Sequence, residues 1–366
     1  MNIKSLTNCT IAALALMILG ACSTASIESS TVAPLHSSCV LIDTDYDIDD
    51  MMAIPMVMGN KHVAGIVTSE GYTLPGPGAA ALSRLIAEPG QRQIPVIVGA
   101  SYPGTRDLSP WPWLPFFREM MNQSNGLMSG ALTPAKSAQS NYTQSVVDAT
   151  AQCRTVSVMI IGTYTSFINY SSAIRSKIDK VVIMGKPIGD QSLEVGKYSF
   201  NCGYDLPACQ KAMTQLQGMN PVWVDIPRLT KQTPPLLATY ESTKEMVEGS
   251  SVNGGGLVST GLPGALKKAL VNTQECTSKF YGTMPVKPNS ACTSYSTWVP
   301  ADVAAGPGGE SLLWDQSASL YMLHPEIFSP VNQHMEPTLI NGSHEQTAER
   351  MRRFWTEATN RAVVYR

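Results

Sequence analysis

The stretch "CVLIDTDYDIDDMMAI" (residues 39–54) joins an apolar run of strand type to a segment of helical pattern, with a crowd of acids between them. Five aspartates lie within eight positions: Asp43, Asp45, Asp47, Asp49 and Asp50. Carboxylates this close repel one another unless a cation lies among them or solvent separates them. The apolar residues on both sides argue against a solvated acidic turn. The pattern therefore favours a divalent-cation site, with hard oxygen ligands drawn from Asp45 and Asp50.

Short runs rich in β-branched residues alternate along the chain with longer segments of helical pattern. The predicted strands are 39–43, 63–68, 94–98, 155–161, 180–184 and 221–226. Their nearly continuous apolar character is typical of strands covered by helices on both faces. The alternation predicts an α/β fold, an open and mostly parallel sheet flanked by helices of the Rossmann-like type. In such sheets ligands bind beyond the carboxyl ends of the strands, where the aspartates lie.

The composition excludes one class of partner. Of 366 residues, 43% are hydrophobic and 15% are charged, and the formal net charge is -2. A chain of this kind can bury a large core, so a globular protein of enzyme size is expected. It carries no basic footprint, and we therefore expect no nucleic-acid partner.

The first 22 residues have the pattern of an export signal. Lys4 precedes the apolar run "IAALALMILG" (11–20), which is too short to span a bilayer comfortably. The segment resembles a bacterial lipoprotein signal, in which "LGAC" is the lipobox and Cys22 becomes the lipidated first residue. An ordinary cleaved signal with an incidental cysteine is the alternative. We expect a signal peptide at 1–22, a flexible tether at 23–38 and one domain at 39–366. The protein would then be lipid-anchored in the bacterial cell envelope, in the periplasm or at the cell surface.

Cysteine usage fits an exported protein. Setting aside Cys9 and the lipidated Cys22 leaves six of the eight cysteines, an even number that predicts disulfides in an oxidising compartment. The expected pairs are Cys39–Cys153, Cys202–Cys209 and Cys276–Cys292. A zinc site is the alternative, but no CxxC pair supports it.

Two further interpretations of the aspartate cluster compete with a simple cation site. An EF-hand loop that starts at Asp43 needs glycine at its sixth position and glutamate at its twelfth, and the chain has Ile48 and Ile54 there. A phosphatase of the haloacid-dehalogenase type would use Asp43 as its nucleophile. That class usually continues its Asp-x-Asp motif with x-Thr or x-Val, whereas this chain continues with "YD".

The segment "DTDYDIDDMMAI" (43–54) resembles the N-terminal signature of the nucleoside hydrolase family, Asp-x-Asp-x-Gly-x-Asp-Asp followed by an apolar helix. The similarity extends over roughly residues 39–330. Further segments that resemble the family are "VAGIVTSEGYT" (63–73), "SVMIIGTYTSFINY" (157–170), "DKVVIMG" (179–185), "SFNCGYDLPACQKAM" (199–213) and "LLWDQSASLYMLHPEIF" (312–328).

This resemblance implies calcium-dependent hydrolysis of the N-glycosidic bond of ribonucleosides, with base and ribose as products. One Ca²⁺ would bind the ribose 2′- and 3′-hydroxyls and the attacking water. Its protein ligands would be Asp45, Asp50, Asp315 and a backbone carbonyl at Gly162 or Thr163. Asp45 would also act as the general base on that water.

The same resemblance implies roles for the residues around the ion. Asp49 would bind a ribose hydroxyl, Asn201 would bind the outer hydroxyls of the sugar, and Asp43 would orient the cluster. Carboxylates and amide oxygens suit this chemistry, because cleavage of an N-glycosidic bond develops positive charge on the sugar ring. The expected partner is therefore a small nucleoside, and a homo-oligomer is left open.

The chain departs from the family pattern at four positions. Asp47 stands at the family's glycine, Tyr72 at an asparagine, Ser199 at a glutamate, and Trp314 at a histidine that donates a proton to the leaving base in some members. Trp314 could instead stack on the base, with help from Tyr72 or Trp298. An alternative function follows, a lipoprotein of the same fold that binds ribose or nucleosides and has lost catalysis.

Overall fold

The sheet runs through the part of the chain that the computed structural model describes, residues 36–88, 90–111, 114, 115, 118, 121, 141–188, 199–226, 255–276 and 314–365. Its strands are β1 (His36–Thr44), β2 (Val63–Thr68), β3 (Val96–Val98), β4 (Cys153–Ile160), β5 (Ile178–Met184), β6 (Pro221–Val224), β7 (Phe328–Val331) and β8 (His334–Pro337). They lie in the order β3-β2-β1-β4-β5-β6-β8-β7, and every neighbouring pair is parallel except β7 with β8. The predicted open, mostly parallel sheet is confirmed.

Helices cover both faces of this sheet. The described α-helices are α1 (Ile48–Asn60), α2 (Pro75–Leu85), α3 (Tyr142–Ala149), α4 (Phe167–Ile174), α5 (Phe200–Tyr204), α6 (Leu206–Gln215), α7 (Gly261–Cys276), α8 (Trp314–Leu323) and α9 (His344–Asn360). Apolar side chains of α1, α2, α7, α8 and α9 pack in one core, and those of α3, α4 and α6 pack in the other.

From Cys39 to Thr44, strand β1 is buried, because β2 and β4 pair with its edges and the two helical layers cover its faces. Its side chains alternate, so that Val40 and Ile42 enter the first core and Leu41 enters the second. This two-sided burial is the physical reason for the continuous apolar run in the sequence. It also places the carboxyl end of β1, and the aspartates that follow, at the centre of the sheet edge.

Helix α1 is enclosed by the protein along almost its whole length. The side chains of Met51, Met52 and Met56 are fully buried, and the indole Nε1 of Trp355 in α9 donates to the Met52 carbonyl at 3.1 Å. A helix that is apolar on every side belongs in a core. Because the whole helix is buried, the acidic residues of its first turn, Asp49 and Asp50, lie in the protein interior.

The two strands at the end of the sheet, β7 and β8, are absent from the sequence-based prediction. Each has four residues, and Asn332, in the left-handed region at φ 52°, lies in the turn between them. Runs this short carry little periodicity. Their place in the sheet depends instead on pairing with β6, where Met335 lies opposite Val224.

Two of the three predicted disulfides are present in the described residues. Cys39–Cys153 joins the neighbouring strands β1 and β4, and Cys202–Cys209 joins α5 to α6. Cys292, Trp298 and Cys22 lie outside the described residues, so the pair Cys276–Cys292 and the lipidation remain predictions. Within the described ranges, no helix combines the length and the apolar character that a bilayer crossing requires.

We predict that replacing both Cys39 and Cys153 with serine lowers the free energy of unfolding by about 2–4 kcal/mol, because the bridge closes a long loop in the unfolded chain. The two cysteines are 114 residues apart in sequence. Denaturant unfolding of the oxidised parent and the double variant measures the difference. The reduced forms of both proteins are the matched control and should unfold alike, because reduction also opens the Cys202–Cys209 bridge in both. Equal midpoints for the oxidised parent and the variant would contradict the prediction.

Candidate active site

A tight turn between β1 and α1 sets the directions of the aspartates. Tyr46 lies in the left-handed region at φ 48°, and its N–H donates to the Thr44 hydroxyl at 3.0 Å. The Tyr46 side chain is fully buried. The left-handed conformation of Tyr46 reverses the chain direction between Asp45 and Asp47, so both residues lie at the same edge of the sheet.

Asp47 caps the N-terminus of α1. Its Oδ1 accepts hydrogen bonds from the N–H groups of Asp49 at 2.9 Å and Asp50 at 3.5 Å, while Asp50 Oδ2 accepts from the Asp47 N–H at 3.0 Å. This reciprocal capping box satisfies donors that the first turn of a helix leaves unpaired. Asp50 Oδ1 also accepts a hydrogen bond from the Thr44 hydroxyl. Two acids are thereby fixed by local geometry alone.

Asp49 connects α1 to α8, a helix far away in sequence. Its Oδ2 accepts from the N–H groups of Trp314 at 3.0 Å and Asp315 at 3.4 Å, at the first turn of α8. A carboxylate is favoured there because the N-terminus of a helix carries partial positive charge. The contact brings Asp315 beside the acids of α1, as the resemblance implies.

The result is a group of four carboxylates. One oxygen from each of four aspartates lies within 4.8 Å of the others, and these residues are Asp47, Asp49, Asp50 and Asp315. Within the described ranges, no lysine or arginine forms an ion pair with any of them. Asp315 is buried, and its Oδ1 has no hydrogen-bond partner in the described part of the chain. A buried, unpartnered oxygen among hard oxygen donors is what a divalent cation would satisfy, so these residues fit one.

Burial governs the protonation of the group. It is the main reason that the pKa of Asp49 rises to about 7 and the pKa of Asp50 to about 8. Burial, followed by repulsion from Asp49 and Asp50, raises the pKa of Asp315 well above its ordinary range. Without a counter-charge, the group is driven to take up protons.

Asp45, which the resemblance makes both a ligand and the general base, lies outside this group of four. Its Oδ2 accepts from the Tyr72 N–H at 2.7 Å, and its backbone carbonyl accepts from the Thr73 hydroxyl at 2.6 Å. The carboxylate is packed tightly under the turn that follows β2: a Cβ added to Gly71 would lie 2.0 Å from Asp45 Oδ2. Burial and then the nearby Asp50 raise the pKa of Asp45.

Asp43 is fully buried, and both of its carboxylate oxygens accept hydrogen bonds. Oδ1 accepts from the Ser69 hydroxyl at 2.6 Å, and Oδ2 accepts from the Tyr170 hydroxyl at 3.0 Å. Ser69 itself contacts the hydroxyl of Ser166 at 2.7 Å. A fully buried carboxylate with both oxygens occupied is badly placed to act as a nucleophile, which argues against the phosphatase interpretation.

Gly162 and Asn201 come to the same edge from β4 and α5. The Gly162 N–H donates to the Asp43 carbonyl at 3.2 Å, and a Cβ at Gly162 would lie 2.4 Å from the Asp45 nitrogen. Only glycine permits that approach. Asn201 is buried, and its Nδ2 donates to the Ile161 carbonyl at 2.9 Å. The predicted site residues are therefore neighbours at one edge, although their individual roles remain predictions.

The two aromatic candidates occupy different surroundings. The Trp314 ring packs against the first core, while its N–H holds Asp49. The Tyr72 ring lies 4.6 Å from the Phe200 ring, and Phe200 in turn contacts Trp111 at 5.6 Å between ring centroids. Tyr72 is thus the aromatic candidate that contacts Asp45, through its N–H, and its ring packs against Phe200.

Sequence inspection missed the residues that fix the turn at 69–73. Glu70 is buried, and its carboxylate accepts from the Tyr204 hydroxyl at 2.6 Å and from the Tyr102 N–H at 3.0 Å. Arg118 lies 3.5 Å from the same carboxylate and donates to the Gly71 carbonyl at 2.6 Å. Glu70 lies two residues after the end of β2, a position that could have marked it as a residue of the sheet edge. The sequence near Glu70 does not show that Arg118 and Tyr204 are its partners.

Fold and site together define a class of protein, an open α/β enzyme-like fold with a carboxylate cluster at the sheet edge where such folds bind their ligands. A family model described as inosine-uridine preferring nucleoside hydrolase matches residues 40–365. The chain therefore belongs to the inosine-uridine preferring nucleoside hydrolase family, and this membership supports a hydrolase. Comparison with curated protein sequences finds no match.

Solved structures of similar fold agree with this family. The purine-preferring ribonucleoside hydrolase from Gardnerella vaginalis is 16% identical, with a TM-score of 0.55, over 88% of this chain and 99% of that one. An inosine-guanosine nucleoside hydrolase is 14% identical, with a TM-score of 0.53, over 88% and 99%. The type III effector protein XopQ, complexed with adenosine diphosphate ribose, is 15% identical, with a TM-score of 0.51, over 91% and 95%. At these identities the likeness concerns the fold.

We predict that, in a chelator, the protein becomes less stable as the pH rises from about 5 to 8. The pKa values of Asp49 and Asp50 rise on folding from 3.8 to about 7 and about 8. Protonation of these acids therefore stabilises the folded state below the unfolded value, and this stabilisation is lost as the pH rises through the folded values. Melting temperatures at pH 5.5 and pH 8 measure the effect.

The Asp50→Asn variant is the matched control, because it keeps the size of the side chain and removes one titrating group. Its metal-free melting temperature should depend less on pH than that of the parent. Excess calcium at pH 8 should restore the parent's melting temperature. A metal-free parent that is equally stable at both pH values would contradict the prediction.

Proposed function

We propose that this protein hydrolyses the N-glycosidic bond of ribonucleosides in a calcium-dependent reaction. The observation that carries the proposal is the group of four carboxylates, three buried and that of Asp47 partly buried, with oxygens within 4.8 Å of one another and Asp45 held beside it. The group lies at the carboxyl edge of the central strands in a chain that belongs to the inosine-uridine preferring nucleoside hydrolase family.

The charge of the site suits the reaction. As the bond between C1′ and the base nitrogen breaks, its electron pair leaves with the base and positive charge develops on the ribose ring. Buried carboxylates that are already oriented stabilise that charge without reorganisation. When bound, a calcium ion would supply the positive charge that attracts the vicinal 2′- and 3′-hydroxyl oxygens of the ribose and lowers the pKa of a nearby water.

Asp45 is the proton acceptor in this proposal. Water adds its oxygen to C1′ and gives one proton to Asp45. The Tyr72 N–H and the two bonds from Thr73 to the Asp45 backbone carbonyl fix the orientation of the residue. A general base that is already held in one orientation loses little conformational entropy when the attacking water binds beside it. The proton then leaves Asp45, and the departing base takes up a proton of its own.

A specific observation supports a second candidate, a nucleoside-binding protein without turnover. The family position that protonates the base in some members is Trp314, whose ring packs against the core. Ser199 also lacks the carboxylate that the family has before Phe200 and Asn201. Binding of a nucleoside in calcium without release of ribose would favour this candidate.

We predict that purified protein releases free ribose from at least one nucleoside in calcium and that a chelator abolishes the release. The screen covers purine and pyrimidine nucleosides, with free ribose as the readout. It also includes adenosine diphosphate ribose, because a structure of similar fold is complexed with it; free adenine is the readout there, since the ribose stays attached to the diphosphate. Asp45→Asn should lower kcat by about 10²- to 10⁴-fold, as expected when a general base is lost.

The control is Glu345→Gln, an exposed acid in α9 that has no place in the site; its kcat should equal that of the parent. The absence of ribose from every nucleoside, and of adenine from adenosine diphosphate ribose, in the presence of calcium would reject the hydrolase. Full activity of Asp45→Asn would instead reject only the role of Asp45.

We also propose that Cys22 carries a lipid that anchors the protein to a membrane of the cell envelope, because "LGAC" resembles a lipobox. In a bacterial host that processes lipoproteins, the full chain should enter the membrane fraction and incorporate labelled palmitate. Cys22→Ala should do neither, whereas Cys9→Ala, within the expected signal, should behave like the parent. Labelling that survives Cys22→Ala would contradict this assignment.

A further inference from the structure

The carboxylate of Asp45 is held by one peptide group, the group that joins Gly71 to Tyr72. The N–H of this group belongs to Tyr72 and donates to Asp45 Oδ2 at 2.7 Å. Its carbonyl belongs to Gly71 and accepts two hydrogen bonds from Arg118, from Nε at 3.2 Å and from Nη2 at 2.6 Å. Because the atoms of a peptide group lie in one plane, the direction of the carbonyl fixes the direction of the N–H. Arg118 and Asp45 are therefore partners of the same rigid unit.

Close packing requires glycine at position 71, and a glycine leaves this peptide group free to rotate. A Cβ added to Gly71 would lie 2.0 Å from Asp45 Oδ2, so no side chain fits there. Glycine restricts its own backbone dihedrals less than any other residue. A rotation of the peptide group would point the Tyr72 N–H away from Asp45, and a hydrogen bond on the carbonyl opposes that rotation. In the part of the chain that the structure describes, this carbonyl accepts hydrogen bonds from Arg118 alone.

Arg118 is fixed by further contacts that do not involve Asp45. Its Nη2 donates to the Tyr204 hydroxyl at 2.7 Å and lies 3.5 Å from Glu70 Oε1. The Tyr204 hydroxyl donates to Glu70 Oε1 at 2.6 Å, and the Tyr102 N–H donates to Glu70 Oε2 at 3.0 Å. The guanidinium is thus held by its neighbours, and the charge of Glu70 balances its own charge.

The guanidinium also strengthens the hydrogen bond on the other side of the peptide group. A cation at a carbonyl oxygen polarises the amide, and hydrogen bonds in such a chain reinforce one another in the protein interior. The Tyr72 N–H is therefore a stronger donor to the Asp45 carboxylate than it would be without Arg118. Since a carboxylate is planar, a bond that holds Oδ2 also limits the direction of Oδ1.

We propose that Arg118 is the positioning residue of Asp45: it holds the Gly71 carbonyl so that the Tyr72 N–H keeps the carboxylate in one orientation. The inference rests on the proposed function for the task of Asp45 as proton acceptor. The contact between the peptide group and the carboxylate does not depend on that function. In this assignment Arg118 acts through the peptide group and contacts neither the substrate nor the ion.

The first measurement is the exchange rate of the Tyr72 amide hydrogen, followed by NMR on the purified chain with ¹³C at glycine carbonyls and ¹⁵N at tyrosines. The sequence has two Gly-Tyr pairs, 71–72 and 203–204, so two signals are expected, and Tyr72→Phe identifies the one it removes. Arg118→Met keeps the apolar part of the side chain and should speed this exchange by about tenfold or more, because the amide loses its fixed acceptor.

Three further variants accompany Arg118→Met. Arg118→Lys keeps the charge beside Glu70 but loses the fork of two donors, so it should also speed the exchange, by less. Glu70→Gln removes the ion pair and keeps the bonds from Arg118 to Gly71, so the exchange should stay slower than in Arg118→Met. Arg154→Met makes the same replacement at an exposed position of β4 and should exchange at the parent rate.

Unchanged exchange in both Arg118 variants would overturn the inference. Equal acceleration by Glu70→Gln and Arg118→Met would overturn it as well, because the ion pair, and not the bond to the peptide group, would then fix the turn.

Ribose release at saturating calcium measures the consequence for turnover. Arg118→Met should lower kcat by about 10- to 100-fold and leave KM within about threefold, because a misplaced Asp45 affects the transition state more than substrate binding. In an Asp45→Asn background the same change should lower kcat little further, since Arg118 acts through Asp45. Equal losses in both backgrounds would show a merely structural role and reject the inference. A parent that releases no ribose rejects the hydrolase, and the amide exchange then decides the positioning role by itself.

Discussion

Four carboxylates held close together, three of them buried and that of Asp47 partly buried, are the constraint on which the rest of this structure depends. Each must lose most of its hydration, and each repels the others in a medium that screens poorly. The described part of the chain supplies no lysine or arginine to pair with them. The group is therefore stable only with protons or with a cation, and a cation bound there would couple its own binding to the folding of the domain.

The fold meets this constraint by fixing the acids from several directions. The buried strand β1 ends where the aspartate-bearing turn begins, which fixes the position of that turn. Helix α1 is buried along almost its whole length, so its acidic first turn lies in the protein interior. At the start of helix α8, the N–H groups of Trp314 and Asp315, which have no acceptor within the helix, donate to Asp49 Oδ2. Trp355 from α9 holds α1 against the core from the far side. Elements more than 250 positions apart in sequence thus share one small region, which a parallel sheet makes possible because its strands all end at the same edge.

The sequence predicted the parts of this arrangement that local patterns encode. The apolar runs gave six strands, since strands covered on both faces must be apolar throughout. The aspartate spacing indicated a carboxylate cluster after β1, and the family resemblance added Asp315, which the structure places in that cluster; the roles of these residues stay predictions. What escaped prediction depends on pairing at long range: the four-residue strands β7 and β8, and the contacts of Glu70 with Arg118 and Tyr204. No periodicity in one segment can specify a partner in another.

The five crowded aspartates differ in their contacts, although they are one residue type. Asp47 caps α1 through Oδ1, and Asp49 joins α1 to α8 by accepting from the N–H groups of Trp314 and Asp315. Asp45 Oδ2 accepts from the Tyr72 N–H at 2.7 Å, which ties this residue to the turn after β2, while Asp43 accepts from the hydroxyls of Ser69 and Tyr170. Each of these carboxylates is therefore held by a different element, and none can move without losing a hydrogen bond to that element. Because burial also raises the pKa of Asp45, Asp49 and Asp50, a cation that neutralised the acids would do at neutral pH what protons otherwise do.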